Sequence, residues 1–189
     1  MVRFCLSVVF ITYLVGGVFM SNTHAALPYA KGDKATFVSL GNYKGIDENS
    51  EIEISQLGVG RAYYLTDGLG LYGEVLALAT RGDREGENAE VGGLGGFFAL
   101  RWHFLRKARW SLYLNQGVGP LLFFKEFPPG GTKVNALTQY GVGMSAQVRD
   151  VFIVNLGVRH VHISNGKGMV ADNPSYDGRG FYVEISRPF

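Results

Sequence analysis

Hydrophobic and polar positions alternate with a period of two along most of this chain, and turn residues interrupt the alternation at regular intervals. Two is the period of a half-buried β-strand, whose side chains point to opposite faces in turn. Amphipathic helical spacing is poor throughout. The pattern predicts eight strands, at about 34–45, 51–65, 69–81, 90–105, 109–124, 133–149, 151–164 and 178–189. The segment 133–149 shows the contrast well. Val134, Ala136, Tyr140, Val142, Met144, Ala146 and Val148 share one parity, against Asn135, Gln139, Gly141, Gly143, Ser145, Gln147 and Arg149 on the other.

The connections differ in a regular way. Those around Asp67-Gly68, at 106–108 and at 149–150 are very short, whereas 46–50, 82–89, 125–132 and 165–177 are longer and rich in Gly, Pro or charge. Short and long strictly alternate, so all the long loops lie at one end. An even number of long strands with this asymmetry predicts an all-β fold, an eight-stranded antiparallel transmembrane β-barrel of the bacterial outer membrane. A soluble barrel carries the same alternation with the apolar set inside, and parity alone does not say which face closes inward. The strand length favours the membrane version, as do Trp102, Phe104 and Trp110 beside a short turn, where an aromatic girdle lies. So does the run Phe181, Val183, Ile185 leading to a terminal Phe189. Arg187 interrupts that parity and has to snorkel at the rim. Eight strands enclose an interior filled by side chains, too narrow for a porin channel, which argues against general diffusion as the role.

Composition adds limits. A formal charge of +2 gives no basic footprint and so no nucleic-acid partner. Arg3, the apolar run 4–20 and the polar stretch ending at Ala25 have the form of a cleaved signal peptide over 1–25, which leaves one barrel domain over 26–189. Cleavage also removes Cys5, the only cysteine, and with it disulfides, thiolate metal sites and a cysteine nucleophile.

The candidate chemistry lies near the C-terminus. The even positions of 151–164 begin as Phe152, Val154, Leu156 and Val158, then change to His160, His162 and Ser164. Residues i and i+2 of a strand share a face about 6.5–7 Å apart, so the His162 imidazole can reach the Ser164 hydroxyl and act on it as a general base. Asn165 and the backbone N–H groups at Gly166 follow and can serve as oxyanion donors. This change of chemistry sits on the lipid-facing wall at the long-loop end, where polar side chains are costly unless they serve a function or lie in the interface. Three carboxylates can complete the set: Asp172 in the loop, Glu184 with interior parity, and Asp177, which shares the outward parity of Phe181 and is the one favoured. Each feature also has a plainer reading. His160 and His162 suit a membrane interface, and Ser164-Asn165-Gly166 and Asp177-Gly178 are good turn sequences. Arg81, Arg84 and Lys125 lie near the same end, as solvated loop charges or as contacts for a lipid phosphate.

The run His162, Ile163, Ser164, Asn165, Gly166, followed by Asn173, Pro174, Ser175, Tyr176, Asp177 and the terminal Pro188-Phe189, resembles the outer-membrane lipid A 3-O-deacylases. The resemblance implies an eight-stranded barrel that hydrolyses the ester-linked acyl chain at position 3 of lipid A, with its active site towards the outer leaflet. It implies Ser164 as nucleophile, His162 as base, Asp177 as acid, Asn165 and Gly166 as oxyanion donors, and no metal or cofactor. The family commonly has glutamate at the acidic position. Anchoring the match on Asp177-Gly178 instead would put that position at Gly180. A non-catalytic barrel serving adhesion or envelope stability is the alternative, and a phospholipase or acyltransferase a third reading. The expected partners are lipopolysaccharide and outer-membrane lipid, and the pattern leaves a homodimer open.

Overall fold

The computed structural model describes residues 27–47, 51–148, 151–165 and 174–189. The expected signal peptide 1–25, Gly166 and Asp172 lie outside the described residues. Eight long antiparallel strands close into a barrel: β1 (Lys34–Gly45), β2 (Glu53–Thr66), β3 (Leu69–Arg81), β6 (Gly92–Arg106), β7 (Trp110–Phe127), β8 (Thr132–Val148), β9 (Phe152–Ser164) and β10 (Tyr176–Pro188). A two-residue hairpin, β4 (Asp83–Arg84) with β5 (Glu87–Asn88), stands in the loop between β3 and β6. Among the eight long strands neighbours in sequence pair, and β1 pairs with β10 to close the ring, so the barrel sheet has no open edge. In a bilayer that closure is obligatory, because unpaired backbone groups have no water to turn to.

The structure answers which face is apolar. Val75 is 70% exposed, Phe98 62%, Phe124 62% and Phe181 76%, all on the outer wall. Such a continuous apolar wall belongs in lipid rather than in water. Trp102 and Phe104 pack at 5.9 Å between ring centroids near the short-turn end, where the girdle was expected.

The polar parity fills the interior and pairs with itself. Arg101 donates to both oxygens of Glu184, at 2.9 and 2.7 Å, and Asn155 Nδ2 donates to Glu184 Oε1 at 2.9 Å. The guanidinium of Arg101 lies 4.1 Å from the Tyr72 ring centre, and that of Arg159 lies 3.6 Å from Tyr182. Two glycines explain how large rings fit: a Cβ on Gly143 would stand 2.4 Å from the Tyr113 ring, and one on Gly157 would stand 2.6 Å from Tyr182. The freed space lets the two tyrosine hydroxyls meet at 2.5 Å. At the long-loop end the interior turns apolar, with Tyr43, Phe123, Phe127, Leu137, Ile163 and Tyr176 buried together. At the opposite end Tyr29 stacks on His103, with ring centres 3.8 Å apart.

Residues opposite one another define a row that winds around the wall. Starting at Leu71 on β3, it passes Leu100, Gln116, Tyr140, His160, Arg179, Lys44 and Glu53, and returns to β3 at Arg81. The row therefore climbs from the short-turn end to the long-loop end as it goes from β6 towards β2. With strands about 4.8 Å apart and tilted by roughly 40°, each step rises about 3 Å.

Two details differ from the sequence expectation. β7 continues to Phe127, past an irregularity between Leu122 and Phe127, so Lys125 is on the strand rather than in the loop. β10 begins at Tyr176, because Tyr176 is drawn into the apolar cluster, and this places Asp177 within the sheet opposite His162.

Removing one partner of the interior ion pair leaves a buried charge without compensation. Glu184→Ala is expected to cost about 3–5 kcal/mol of stability, read from urea unfolding of the refolded barrel. Replacing Arg101 and Glu184 together by Leu should recover most of the loss.

Candidate active site

Alternation does the positioning. On β9, Ile153, Asn155, Arg159, Val161 and Ile163 are buried in the interior, so His160, His162 and Ser164 point outward from the same strand. On β10, Tyr176 and Gly178 face inward and Asp177 outward. Cross-strand pairing then sets Asp177 directly opposite His162. Four polar side chains thus emerge side by side from a wall whose lower part, Leu156 and Val158, is aliphatic.

Their contacts form a chain. The Nδ1 of His162 lies 3.0 Å from Asp177 Oδ1 and 3.1 Å from Oδ2. An Nδ1–H donating to that carboxylate leaves Nε2 free to accept, and the Ser164 hydroxyl is 3.1 Å from it. A second histidine joins from below: His160 Nε2 is 3.0 Å from Asp177 Oδ1. The His160 ring packs on Tyr140 at 4.8 Å between centroids, which fixes its plane. The His162 and Asp177 side chains are 38% and 28% exposed and that of His160 only 14%, so the reacting end of the chain is open and its support is covered. Both side-chain polar atoms of Asn165 are buried without a partner among the described residues.

The residues expected from the sequence are therefore found as follows. His162, Ser164 and Asp177 come together in hydrogen-bond contact, and Asn165 adjoins them. Gly166 lies outside the described residues, as does Asp172, one of the acids weighed. The other acid, Glu184, is buried on Arg101 inside the barrel. The bond from His160 to Asp177 was not anticipated; the sequence signal for it was the third member of the outward series 160, 162, 164. Arg81 is tied to Glu53 by an ion pair, and Arg84 donates to the Ser175 carbonyl at 2.8 Å. Among the described residues no cluster of metal ligands occurs.

Below the four residues a groove runs down the outer wall. Its floor follows a second register row, Leu69, Trp102, Leu114, Val142, Val158 and Phe181, and its upper edge includes Tyr140 and His160. Because the rows slant, the groove descends obliquely from the long-loop end towards Trp102. Its exposed lining is mainly apolar, with Gln116, His160 and Arg179 among the polar side chains that border it.

A sequence model of the family described as lipid A 3-O-deacylase (PagL) matches residues 56–186. The chain belongs to that family. The match spans most of the barrel and includes all four contacting side chains. Comparison with curated proteins gave no significant match. Among solved structures, the outer membrane enzyme PagL is 19% identical, with a TM-score of 0.59, covering 78% of this chain and 97% of its own. Neisserial surface protein A is 10% identical with a TM-score of 0.59, covering 83% of this chain and 96% of its own. The outer membrane protein OprG from Pseudomonas aeruginosa is 15% identical with a TM-score of 0.54, covering 89% of this chain and 99% of its own. At these identities the structural likeness carries the fold: this is an eight-stranded outer-membrane barrel. A fold shared with a surface protein does not choose between enzyme and non-enzyme. The family match makes that choice.

Proposed function

We propose that this barrel hydrolyses the 3-O-linked acyl ester of lipid A by a serine mechanism, with Ser164 as nucleophile, His162 as base and Asp177 as orienting acid. The observation that carries the reading is the continuous contact from Ser164 Oγ through His162 to Asp177 on the lipid-facing wall. Membership of the family supports the lipid A substrate.

In this reading the acyl chain lies in the oblique groove, with its ester at the level of Ser164. The Ser164 oxygen attacks the carbonyl carbon while its proton passes to His162 Nε2. The charge that develops on the imidazole is offset by the Asp177 carboxylate at Nδ1. The carbonyl oxygen becomes an oxyanion, for which Asn165 and the backbone N–H groups after it, including that of Gly166, are the proposed donors. Collapse breaks the bond to the sugar oxygen, which takes the proton from His162. Water then attacks the acyl-enzyme with the same base and releases the fatty acid and free Ser164. No step calls for a metal or cofactor. The groove selects a chain by shape, since lipid is already apolar and transfer from one to the other gains little.

Aspartate is one methylene shorter than the glutamate common in the family, yet Asp177 reaches His162, and the second histidine helps to hold it there. His160 donates to Oδ1 from below while His162 takes both oxygens from the side, so the short carboxylate is held at two points. His160 touches no reacting atom in this scheme and is a positioning residue.

Two outcomes follow. Mass spectrometry of lipid A incubated with the refolded barrel should show loss of one hydroxyacyl chain. Ser164→Ala should lower that rate by about 10³-fold or more; full activity in the variant would rule out the serine mechanism. His160→Phe should lower kcat by roughly tenfold with little change in KM, and His160→Gln, which keeps a donor, should restore most of it. Equal loss in both variants would mean that His160 acts by packing alone.

A further inference from the structure

The outer wall carries two cations beside the four polar residues that the hydrolytic scheme does not use. Arg179 and Lys44 are directly opposite one another across the β10–β1 pair, and both are exposed on the lipid-facing side. Like charges in that relation repel and normally weaken a sheet. Neither side chain has a hydrogen bond or ion pair with any described residue. The two anions on the neighbouring strands are occupied: Glu53, opposite Lys44, is bound by Arg81, and Asp177, on the same face as Arg179, is bound by both histidines. Two adjacent cations with no ion pair among the described residues are therefore exposed at one point of the wall.

Their height and neighbourhood indicate what they meet. Arg179 is opposite His160 on its other side. The register row climbs from His160 to Arg179 to Lys44, so Lys44 stands about 6 Å above His160. His162, two residues further along a tilted strand, stands about 5 Å above His160 by the same geometry. Arg179, one step along the row, stands about 3 Å above His160, so the two cations bracket the level of the catalytic base, Arg179 one strand spacing from β9 and Lys44 two. A lipid whose ester reaches Ser164 has its sugar headgroup at this level, and lipid A is a phosphorylated glucosamine disaccharide.

We infer that Lys44 and Arg179 form a phosphate-binding site for the headgroup of the lipid substrate. The inference rests on the deacylase reading above. A guanidinium and an ammonium together offer a fork and a point charge to one phosphate group, and the bound phosphate removes the repulsion between them. This site orients the disaccharide so that the 3-O ester, rather than another of its acyl esters, faces Ser164. The loop cations Arg81 and Arg84 are less suited, since each is already engaged within the chain.

The test uses the full barrel in detergent with two probes, lipid A carrying its phosphates and the same lipid after phosphate removal. Retention of each by immobilised Ser164→Ala barrel reads binding without turnover. The phosphorylated lipid is expected to bind at least about tenfold more tightly, and the added pair Lys44→Gln and Arg179→Gln should bring the ratio close to one. The conservative pair Lys44→Arg and Arg179→Lys should keep it well above one, which separates lost charge from misfolding. An unchanged preference after the Gln substitutions would overturn the site, as would the absence of a preference in the parent. Deacylation by the active barrel is scored separately: a binding contrast without any loss of an acyl chain would keep the phosphate site and sink the hydrolytic reading.

Discussion

In a hydrocarbon solvent every backbone donor and acceptor must be paired within the chain, and the rest of this structure depends on that requirement. It forces the sheet to close, and closure fixes the meaning of the two parities: one faces lipid and the other a narrow, side-chain-filled lumen. Charged groups on the inner parity then have to find each other, as Arg101 and Glu184 do. Polar groups on the outer parity stand out as a departure that calls for a reason. His160, His162, Ser164 and Asp177 are such a departure, confined to the long-loop end of two neighbouring strands.

The site is built on strands rather than on loops, and this has consequences for its precision. Each of its members alternates with a residue anchored inside the barrel: Val161 and Ile163 lie between the outward residues of β9, and Tyr176 and Gly178 flank Asp177. The imidazole of His162 is therefore placed by sheet register, with the Ser164 hydroxyl along the strand and the Asp177 carboxylate across it. The interior apolar cluster at that end holds both strands from behind. The slant of the register rows joins the reacting end to the groove below it and to the cations beside it, so ester, acyl chain and headgroup are all met by one strip of wall.

Much of this was legible in the sequence, for identifiable reasons. A period of two is unambiguous over strands this long, and alternation of short and long connections follows from counting. His162 and Ser164 needed only the spacing of a strand, and Asp177 was separated from Glu184 by parity. What escaped was cross-strand register, which depends on how each hairpin closes. Without it, neither the bond from His160 to Asp177 nor the facing of Lys44 and Arg179 is visible. Parity likewise left open which face meets lipid until the closed barrel put Phe98 and Phe181 outside. The extension of β7 to Phe127 was missed because its register breaks beyond Leu122 and hides the alternation.

The central claim is that Ser164 is a nucleophile activated by the residues it touches. The most direct measurement is the intact mass of the refolded barrel after reaction with a long-chain alkyl phosphonate ester, followed by peptide mapping. The account predicts a single covalent adduct on the peptide containing Ser164, formed at least about 10²-fold more slowly after His162→Ala. No adduct on a folded barrel, an adduct on another residue, or a labelling rate indifferent to His162 would contradict it.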